Sequence, residues 1–238
     1  MLKEFASKHR RWGHPKLHVL IRRQGLLVNH KRTERIYRQE GLALRVRRKK
    51  KLAAVLRTPS PKGTAPNQHW AMDFIRDSFW SGRKFRCLTI VDTFTKECIV
   101  IEVDTSLTGL RVVRVLEYLA KVRGLPISIR VDNGPEFISR VLDEWAHRRG
   151  VKLDFIRPGK PTDNPYIESF HDKLRDECLN ENYFLNLNEA KEVIENWRIE
   201  YNTVRPHESL DQLTPEEFVK QYEQNKNLST QEFSLAVV

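Results

Sequence analysis

Apolar side chains alternate with polar ones, or form short unbroken runs, in five segments after residue 67, and both patterns predict β-strands. In the first segment, HWAMDFIRD, the side chains of Trp70, Met72 and Phe74 share one face and Asp73 points to the other. A short polar connection, TFTKE, joins the second and third segments as a hairpin. The other four segments are FRCLTIVD, CIVIEVD, PISIRVDNG and KLDFIRP.

Apolar residues at steps of three and four predict helices between and after these strands. One helix begins at about Pro165, where Asn164 is a suitable N-cap, and His171 belongs to its inward stripe. Three strands followed by alternating helices and strands predict a mixed α/β sheet of five strands with helices on its faces. The other predicted helices cover about residues 109–123, 139–149 and 188–201, and a short helix follows a capping box at Thr214.

The first 46 residues predict a small all-α region of three short helices, which is the size of a helix-turn-helix unit. The third helix carries four basic side chains that suit a DNA-facing surface, although a solvated basic face has the same composition. These four are Lys31, Arg32, Arg35 and Arg38.

A basic linker over residues 47–66 is predicted after the helical region, because a run of cations gives way there to Pro, Ser and Gly. The run suits a phosphate backbone and consists of Arg47, Arg48, Lys49, Lys50 and Lys51. The remaining predicted segments are an α/β core over residues 67–185 and a C-terminal helical segment over residues 186–238.

Positive charge is concentrated in the N-terminal part of the chain. The net charge is +11, yet residues 1–66 contain 19 Lys and Arg against three Glu, and the remainder contains 23 basic against 28 acidic residues. Clustered Lys and Arg side chains gain free energy by releasing counterions from phosphates, so this asymmetry indicates nucleic acid as the partner. The sequence contains no apolar run of 18 residues, so we expect no membrane partner.

Three isolated cysteines, Cys87, Cys98 and Cys178, lack the paired spacing of a zinc site and the even number of a disulfide framework. We expect reduced core residues in a cytoplasmic protein. His14 and His18 stand four residues apart, but no further close ligand completes a metal-binding set.

Three acidic residues lie where functional sites commonly form in mixed α/β sheets. Asp73 lies mid-strand, where a buried charge needs a partner, and Asp132 ends the fourth strand. Glu168 lies in the first turn of the helix near residue 165, where on its own it could simply complement the helix dipole. If the first and fourth strands are neighbours, the three carboxylates can converge, and divalent cations would offset their repulsion. Oxygen ligands of this hardness select Mg²⁺ or Mn²⁺.

The segments HWAMDF, VDNGPEF and GKPTDNPYIESFHDKLRDECLN resemble the three acidic motifs of the DDE transposases and retroviral integrases. Thirty-five residues separate Asp132 from Glu168, and Arg175 follows seven residues later, similar to the D-D-(35)-E arrangement of integrase cores. The closer resemblance is to OrfB, the catalytic protein of bacterial insertion sequences of the IS-three type. It is carried by two further segments, RRWGHPKLHVLIRRQGLLVNHKRTERIYRQEGL and YNTVRPHESLDQLTPEEF.

The resemblance implies an RNase H-like fold and an enzyme that cleaves DNA 3′ ends and then transfers the strand. Asp73 and Asp132 would hold one metal ion, and Asp73 with Glu168 a second ion about 3.5–4 Å away. Arg175 would meet a phosphate near the cleavage point, and Lys173 is a further candidate phosphate contact.

The partner implied by the resemblance is DNA, both as the terminal repeats of the element and as the target. Two ends must be joined in one complex, so self-association on DNA is expected. Related transposases are typically made as a fusion with an upstream-encoded DNA-binding segment, and this chain is expected to be the catalytic portion. A bacterial, nucleoid-associated location follows.

Two other functions are alternatives. One is a non-catalytic DNA-binding regulator of transposition, against which the acidic triad argues. The other is an RNase H-like nuclease that hydrolyses without joining, against which the basic N-terminal region and the C-terminal signature argue.

Overall fold

A computed structural model describes residues 1–44, 63–159 and 163–235 of the chain. The chain divides into two compact units. The first comprises the described residues of Met1–Leu56 and Arg205–Leu213, and the second those of Arg57–Val204 and Thr214–Val238. Among the described helices, none is long and apolar enough to cross a membrane.

The first unit contains the three predicted short helices, α1 (Leu2–Lys8), α2 (His14–Arg23) and α3 (His30–Gln39). The side chain of Asn29 caps α3 by accepting a hydrogen bond from the N–H of Lys31 at 3.0 Å. Leu17 of α2 and Tyr37 of α3 are buried in the small core of this unit.

The second unit is built on five strands: β1 (His69–Ser78), β2 (Lys84–Asp92), β3 (Cys98–Asp104), β4 (Ser128–Val131) and β5 (Lys152–Phe155). Their order in the sheet is β3-β2-β1-β4-β5. The β1–β2 and β2–β3 pairs are antiparallel, whereas β1–β4 and β4–β5 are parallel. The first and fourth strands are therefore neighbours, and the predicted mixed sheet of five strands is confirmed.

The helices of this unit are α4 (Gly109–Val122), α5 (Arg140–Arg149), α6 (Pro165–Glu177), α7 (Leu187–Thr203) and α8 (Pro215–Leu235). Trp70 and Met72 pack in one core with side chains of α4 and α5, and Ala71 and Ile75 pack in a second core with side chains of α6 and α7. Because the side chains of β1 alternate, Asp73 lies on the face that α6 covers.

The helix α7 is tied to the edge strand β3 through one side chain. Asn202 accepts a hydrogen bond from the N–H of Cys98 and donates one to its carbonyl oxygen, both at 2.9 Å. The backbone groups at this end of an edge strand are thereby satisfied. The segment boundaries predicted at residues 46, 66 and 185 stay predictions.

Candidate active site

Asp73 lies in the middle of β1, directly opposite Thr89 of β2. Its Oδ1 atom accepts a hydrogen bond from the N–H of Phe74 at 2.6 Å, and the hydroxyl of Thr89 donates to its carbonyl oxygen at 3.0 Å. The side chain of Asp73 is 27% exposed. A largely apolar strand therefore carries a carboxylate that still reaches solvent.

Asp132 follows directly after β4, the parallel neighbour of β1. Its Oδ1 atom accepts a hydrogen bond from the N–H of Gly134 at 2.9 Å. A Cβ atom at position 134 would lie 2.9 Å from the same oxygen, so glycine leaves the space that this carboxylate occupies. The amide of Asn133 donates to the carbonyl oxygen of Ile156 at 2.8 Å and ties this turn to the end of β5.

Glu168 lies in the first turn of α6, which begins where the sequence predicts. Two arginines hold the residue that leads into this helix. Arg157 donates two hydrogen bonds to the carboxylate of Asp163, at 2.8 and 2.9 Å, and the pKa of Asp163 is lowered chiefly by this pairing. Arg130 of β4 donates to the carbonyl oxygen of Asp163 at 2.9 Å. The start of α6 is thus fixed to the strand that ends before Asp132.

Asn164 occupies the N-cap position of α6 but makes no capping hydrogen bond with its side chain. Its backbone angles, φ −115° and ψ 62°, lie outside the extended region that a capping residue usually adopts. The Oδ1 atom is buried and has no hydrogen-bond partner among the described residues. The predicted helix start is correct, and the predicted side-chain cap is wrong.

The charges of Asp132 and Glu168 act on Asp73. Burial is the main cause that raises the pKa of Asp73 to about 6, and the negative charges of Asp132 and Glu168 raise it further. The N–H of Phe74 and the charge of Arg86 act in the opposite direction. In the described ranges no three His, Cys, Asp or Glu side chains converge closely enough to enclose a metal ion. Carboxylates brought together without a cation repel one another. The carboxylate oxygens of Asp73, Asp132 and Glu168 are donors that suit Mg²⁺ or Mn²⁺.

His171 is a neighbour of Asp73 that sequence analysis placed only in the inward stripe of α6. Its Nδ1 atom lies 3.7 Å from Oδ2 of Asp73, and its Nε2 atom lies 2.8 Å from the hydroxyl oxygen of Thr89. Burial lowers the pKa of His171 to about 4, and the charge of Arg175 acts in the same direction. The imidazole is therefore neutral at pH 7. Its position three residues after Glu168 on the same helix is the signal that could have indicated it.

The two predicted phosphate contacts on α6 both have partners within the protein. Arg175 donates one hydrogen bond to the carbonyl oxygen of Arg76 at 2.7 Å and another to Oδ2 of Asp77 at 3.4 Å. Lys173 donates to the carbonyl oxygen and the hydroxyl of Ser169, at 2.7 and 2.6 Å. The contacts of Arg175 and Lys173 with DNA stay predictions.

The predicted DNA-facing cations of α3 are all exposed: Lys31, Arg32, Arg35 and Arg38. Arg38 also pairs with Glu34 at 2.6 Å. The basic run of the predicted linker, Arg47, Arg48, Lys49, Lys50 and Lys51, lies outside the described residues.

Glu136 lies four residues after Asp132 and forms an ion pair with Arg86. Its carboxylate pairs with Arg86 of β2, whose guanidinium carbon lies 4.1 Å from the centre of the Phe74 ring. That ring in turn stacks on Phe137 with 4.9 Å between centroids. These contacts bind the turn after β4 to β1 and β2.

Comparison with known proteins is consistent with this geometry. Models described as "Integrase core domain" match residues 63–161 and 149–215, and a model described as "HTH-like domain" matches residues 1–50. The uncharacterized 31.7 kDa protein of insertion element IS407 from Burkholderia multivorans is 48% identical over 93% of this chain and 80% of its own length. InsF, the transposase of insertion sequence IS3A from Escherichia coli K12, is 24% identical over 96% of this chain and 82% of its own length.

The chain belongs to the IS-three family of insertion-sequence transposases. This transposase is a DDE enzyme of the polynucleotidyl transferase kind that acts in the transposition of an insertion sequence. The family resemblance carried by the three acidic motifs is confirmed.

The fold of the transposase is also that of a solved integrase core. The catalytic core domain of HTLV-2 integrase, solved in complex with magnesium, superposes with a TM-score of 0.52 and 19% identity, over 64% of this chain and 96% of the integrase chain. The predicted RNase H-like class, preceded by a helix-turn-helix-like region, is confirmed.

Proposed function

We propose that Asp73, Asp132 and Glu168 form the single active site at which the transposase cleaves the 3′ ends of its element and joins them to target DNA. The placement of the three acids carries this proposal: Asp132 follows β4, the parallel neighbour of the strand that bears Asp73, and Glu168 lies on the helix that covers the same face. The charges of Asp132 and Glu168 also add to the raised pKa of Asp73, which is due mainly to burial. The middle of β1, the residue after β4 and the first turn of α6 would thereby present negative charge to one space. A cluster of like charges is costly unless it serves to bind cations.

We infer that this space takes Mg²⁺ or Mn²⁺ and that it takes two ions. Asp73 would contribute an oxygen to both ions, Asp132 to one and Glu168 to the other. The donor chemistry supports this choice, and the HTLV-2 integrase core of the same fold was solved with magnesium. When bound, such cations neutralise the reacting phosphate and lower the pKa of the attacking hydroxyl.

The residues of the chain orient two successive displacements at phosphorus. In the first, a water molecule gives up a proton and its oxygen bonds to the phosphorus at the element end, while the bond to the 3′ oxygen breaks and that oxygen takes a proton. In the second, the freed 3′ hydroxyl loses its proton and bonds to a target phosphorus, while the bond to the target 3′ oxygen breaks and that oxygen takes a proton. Because the nucleophiles are water and then the DNA 3′ hydroxyl, no covalent bond between protein and DNA is needed.

Basic side chains of the transposase attract the phosphates of DNA. We propose that Lys31, Arg32, Arg35 and Arg38 of α3 contact the terminal repeats, and that Arg175 and Lys173 contact phosphates near the cleavage point. Joining two ends in one complex requires more than one copy of the chain, so we propose self-association on DNA. An upstream-encoded DNA-binding segment, fused or separate, is a further proposed partner.

The proposal is tested with labelled DNA that carries the ends of the element, the full chain and Mg²⁺ or Mn²⁺. Both nicked and joined products are expected, and chelation with EDTA should abolish both. Nicking without joining would indicate a nuclease. Binding without reaction, even when the upstream segment is supplied, would indicate a regulator.

A further inference from the structure

Two large aromatic side chains lie side by side on the surface, away from both cores. Trp80, in the turn between β1 and β2, is 73% exposed, and Tyr183, in the connection between α6 and α7, is 79% exposed. Their ring centroids are 5.5 Å apart and the rings are perpendicular. Segments 103 positions apart in the sequence thus bring two exposed aromatic rings to one place.

The backbone beneath this pair is firmly held. The N–H of Trp80 donates to the carbonyl oxygen of Phe184 at 2.8 Å. Phe85 of β2 stacks on Phe79 with 4.8 Å between centroids and meets Phe184 edge-on at 5.5 Å. The hairpin tip and the α6–α7 connection are therefore held together by one cluster of packed aromatic side chains. Because both segments are already fixed, binding at the exposed rings would not require a loop to become ordered.

A cleft of about 620 Å³ opens beside the two rings. Its wall includes the side chains of Ser78, Asn180 and Asn182, whose hydroxyl and amide groups can pair with the edge of a nucleobase, and that of Asp77, which pairs with Arg175. The hairpin that carries Trp80 also bears two exposed cations, Arg83 and Lys84. Aromatic faces, amide edges and neighbouring cations are the combination with which proteins bind single-stranded nucleic acid.

The cleft is connected to the candidate active site along two elements. Asp77 lines the cleft and accepts a hydrogen bond from Arg175. Along α6, Arg175 is about 10 Å from Glu168 at the helical rise per residue. Along β1, Ser78 is about 17 Å from Asp73 at the strand rise. One strand of B-DNA advances about 3.4 Å per nucleotide, so these distances correspond to roughly three to five nucleotides.

We propose that Trp80 and Tyr183 form a stacking platform for an unpaired nucleobase of the DNA strand, three to five nucleotides from the reacting phosphate. This inference rests on the proposed function, because it takes the strand to run from the acidic triad past Arg175. Stacking tolerates any base, since every base has an aromatic face, and it holds a strand whose pairing has opened beside the cleavage point. The polar wall and the two cations favour DNA over a second protein, whose contact surface would be apolar at its centre.

The platform is tested with the full chain and a mixed-sequence 20-nucleotide single strand carrying 2-aminopurine, in EDTA and at one fixed salt concentration. Wild type is compared with Trp80→Ala, the conservative Trp80→Phe, and Tyr183→Ala. Tyr118→Ala is the matched control, because Tyr118 is an exposed aromatic residue of α4. Thermal melting of each variant checks folding, and sedimentation at the same concentrations gives the oligomeric state.

We expect Trp80→Ala to weaken single-strand binding about tenfold and to remove the fluorescence quenching of 2-aminopurine. Trp80→Phe should retain most of both, and Tyr118→Ala should match wild type within about twofold. The platform is overturned if Trp80→Ala binds the single strand as wild type does, or if wild type does not quench 2-aminopurine. It is also overturned if the substitution changes only the oligomeric state, which would indicate a protein contact. Quenching by a wild-type chain that neither nicks nor joins element ends would instead remove the proposed function and leave the stacking intact.

Discussion

The Nδ1 atom of His171 on α6 lies 3.7 Å from the carboxylate of Asp73 on β1. The hydroxyl hydrogen of Thr89 goes to the carbonyl oxygen of Asp73, so its oxygen accepts the hydrogen bond from Nε2–H of His171. Nδ1 is then unprotonated and faces the carboxylate. A neutral imidazole therefore packs beside Asp73. Unlike a cation, it does not neutralise the negative charge of the carboxylate.

The position of His171 predicts a role in orienting Asp73. His171→Ala removes the hydrogen bond to Thr89 and leaves a cavity beside the carboxylate, so we expect it to lower the free energy of unfolding by about 1–3 kcal/mol. It should also raise the Mg²⁺ concentration needed for half-maximal strand transfer. His171→Gln, whose amide can still donate to Thr89, should recover part of this loss. An unchanged Mg²⁺ requirement in the alanine variant would contradict the role.

The pKa of Asp73 predicts how the stability of the metal-free protein depends on pH. A carboxyl group with a pKa of about 6 in the folded protein and near 3.8 when unfolded binds more protons in the folded state. Stability is therefore lost as the pH rises through this window. Asp73→Asn removes the charge, so its advantage over wild type in EDTA should grow by about 1–2 kcal/mol between pH 4.5 and pH 8. Denaturant unfolding at the two pH values measures it, and a difference that does not change with pH would contradict the raised pKa.

Arg130, whose hydrogen bond to the carbonyl oxygen of Asp163 fixes the start of α6, predicts an effect on stability. Arg130 pairs with Asp154 at 2.7 Å and also holds the carbonyl oxygen of Asp163, with only 11% of its side chain exposed. Arg130→Ala should lower the free energy of unfolding by about 3 kcal/mol, because it leaves a poorly solvated carboxylate without its partner. The control is Arg140→Ala, which breaks an exposed pair with Glu144 and should leave the free energy of unfolding nearly unchanged. Equal losses in the two variants would contradict the anchoring role.

The exposed cations of α3 predict the salt dependence of DNA binding. Replacing Lys31, Arg32 and Arg35 with Ala should weaken binding to element-end DNA and reduce the slope of log K against log salt by about three. Lys3→Ala on α1, which removes a cation paired with Glu40, is the control and should leave the slope nearly unchanged. A slope that the triple substitution does not change would place the phosphate contacts elsewhere.

Much of the fold could be predicted because local patterns determined it. The period of two in HWAMDFIRD put Trp70 and Asp73 on opposite faces of β1. Trp70, on the apolar face of this strand, is buried in the core beneath α4 and α5. The pairing of β1 with β4 was only assumed from the sequence, and it is the structure that shows it. The start of α6 followed from Asn164 and Pro165 as a pair of helix-start residues.

The details of the candidate site that sequence reasoning missed all depend on contacts between distant segments. The hydrogen bond between Thr89 and His171 joins residues 82 positions apart, and no local pattern encodes it. The side chain of Asn164 makes no capping hydrogen bond to α6, and the backbone angles of this residue differ from those of a usual N-cap. The type of residue alone does not determine these angles. The pairing of Trp80 with Tyr183 likewise requires the packed aromatic anchor beneath it.

The acidic triad itself is tested most directly by comparing Glu168→Gln with Glu144→Gln in a strand-transfer assay on pre-cleaved element ends in Mg²⁺. Each substitution removes one negative charge and keeps the size of the side chain, but Glu144 is an exposed residue of α5 that faces Arg140. If Glu168 holds a cation at the reacting phosphate, Glu168→Gln still binds the DNA and joins no detectable product, while Glu144→Gln joins ends at the wild-type rate. Strand transfer by Glu168→Gln within about tenfold of wild type would contradict the account.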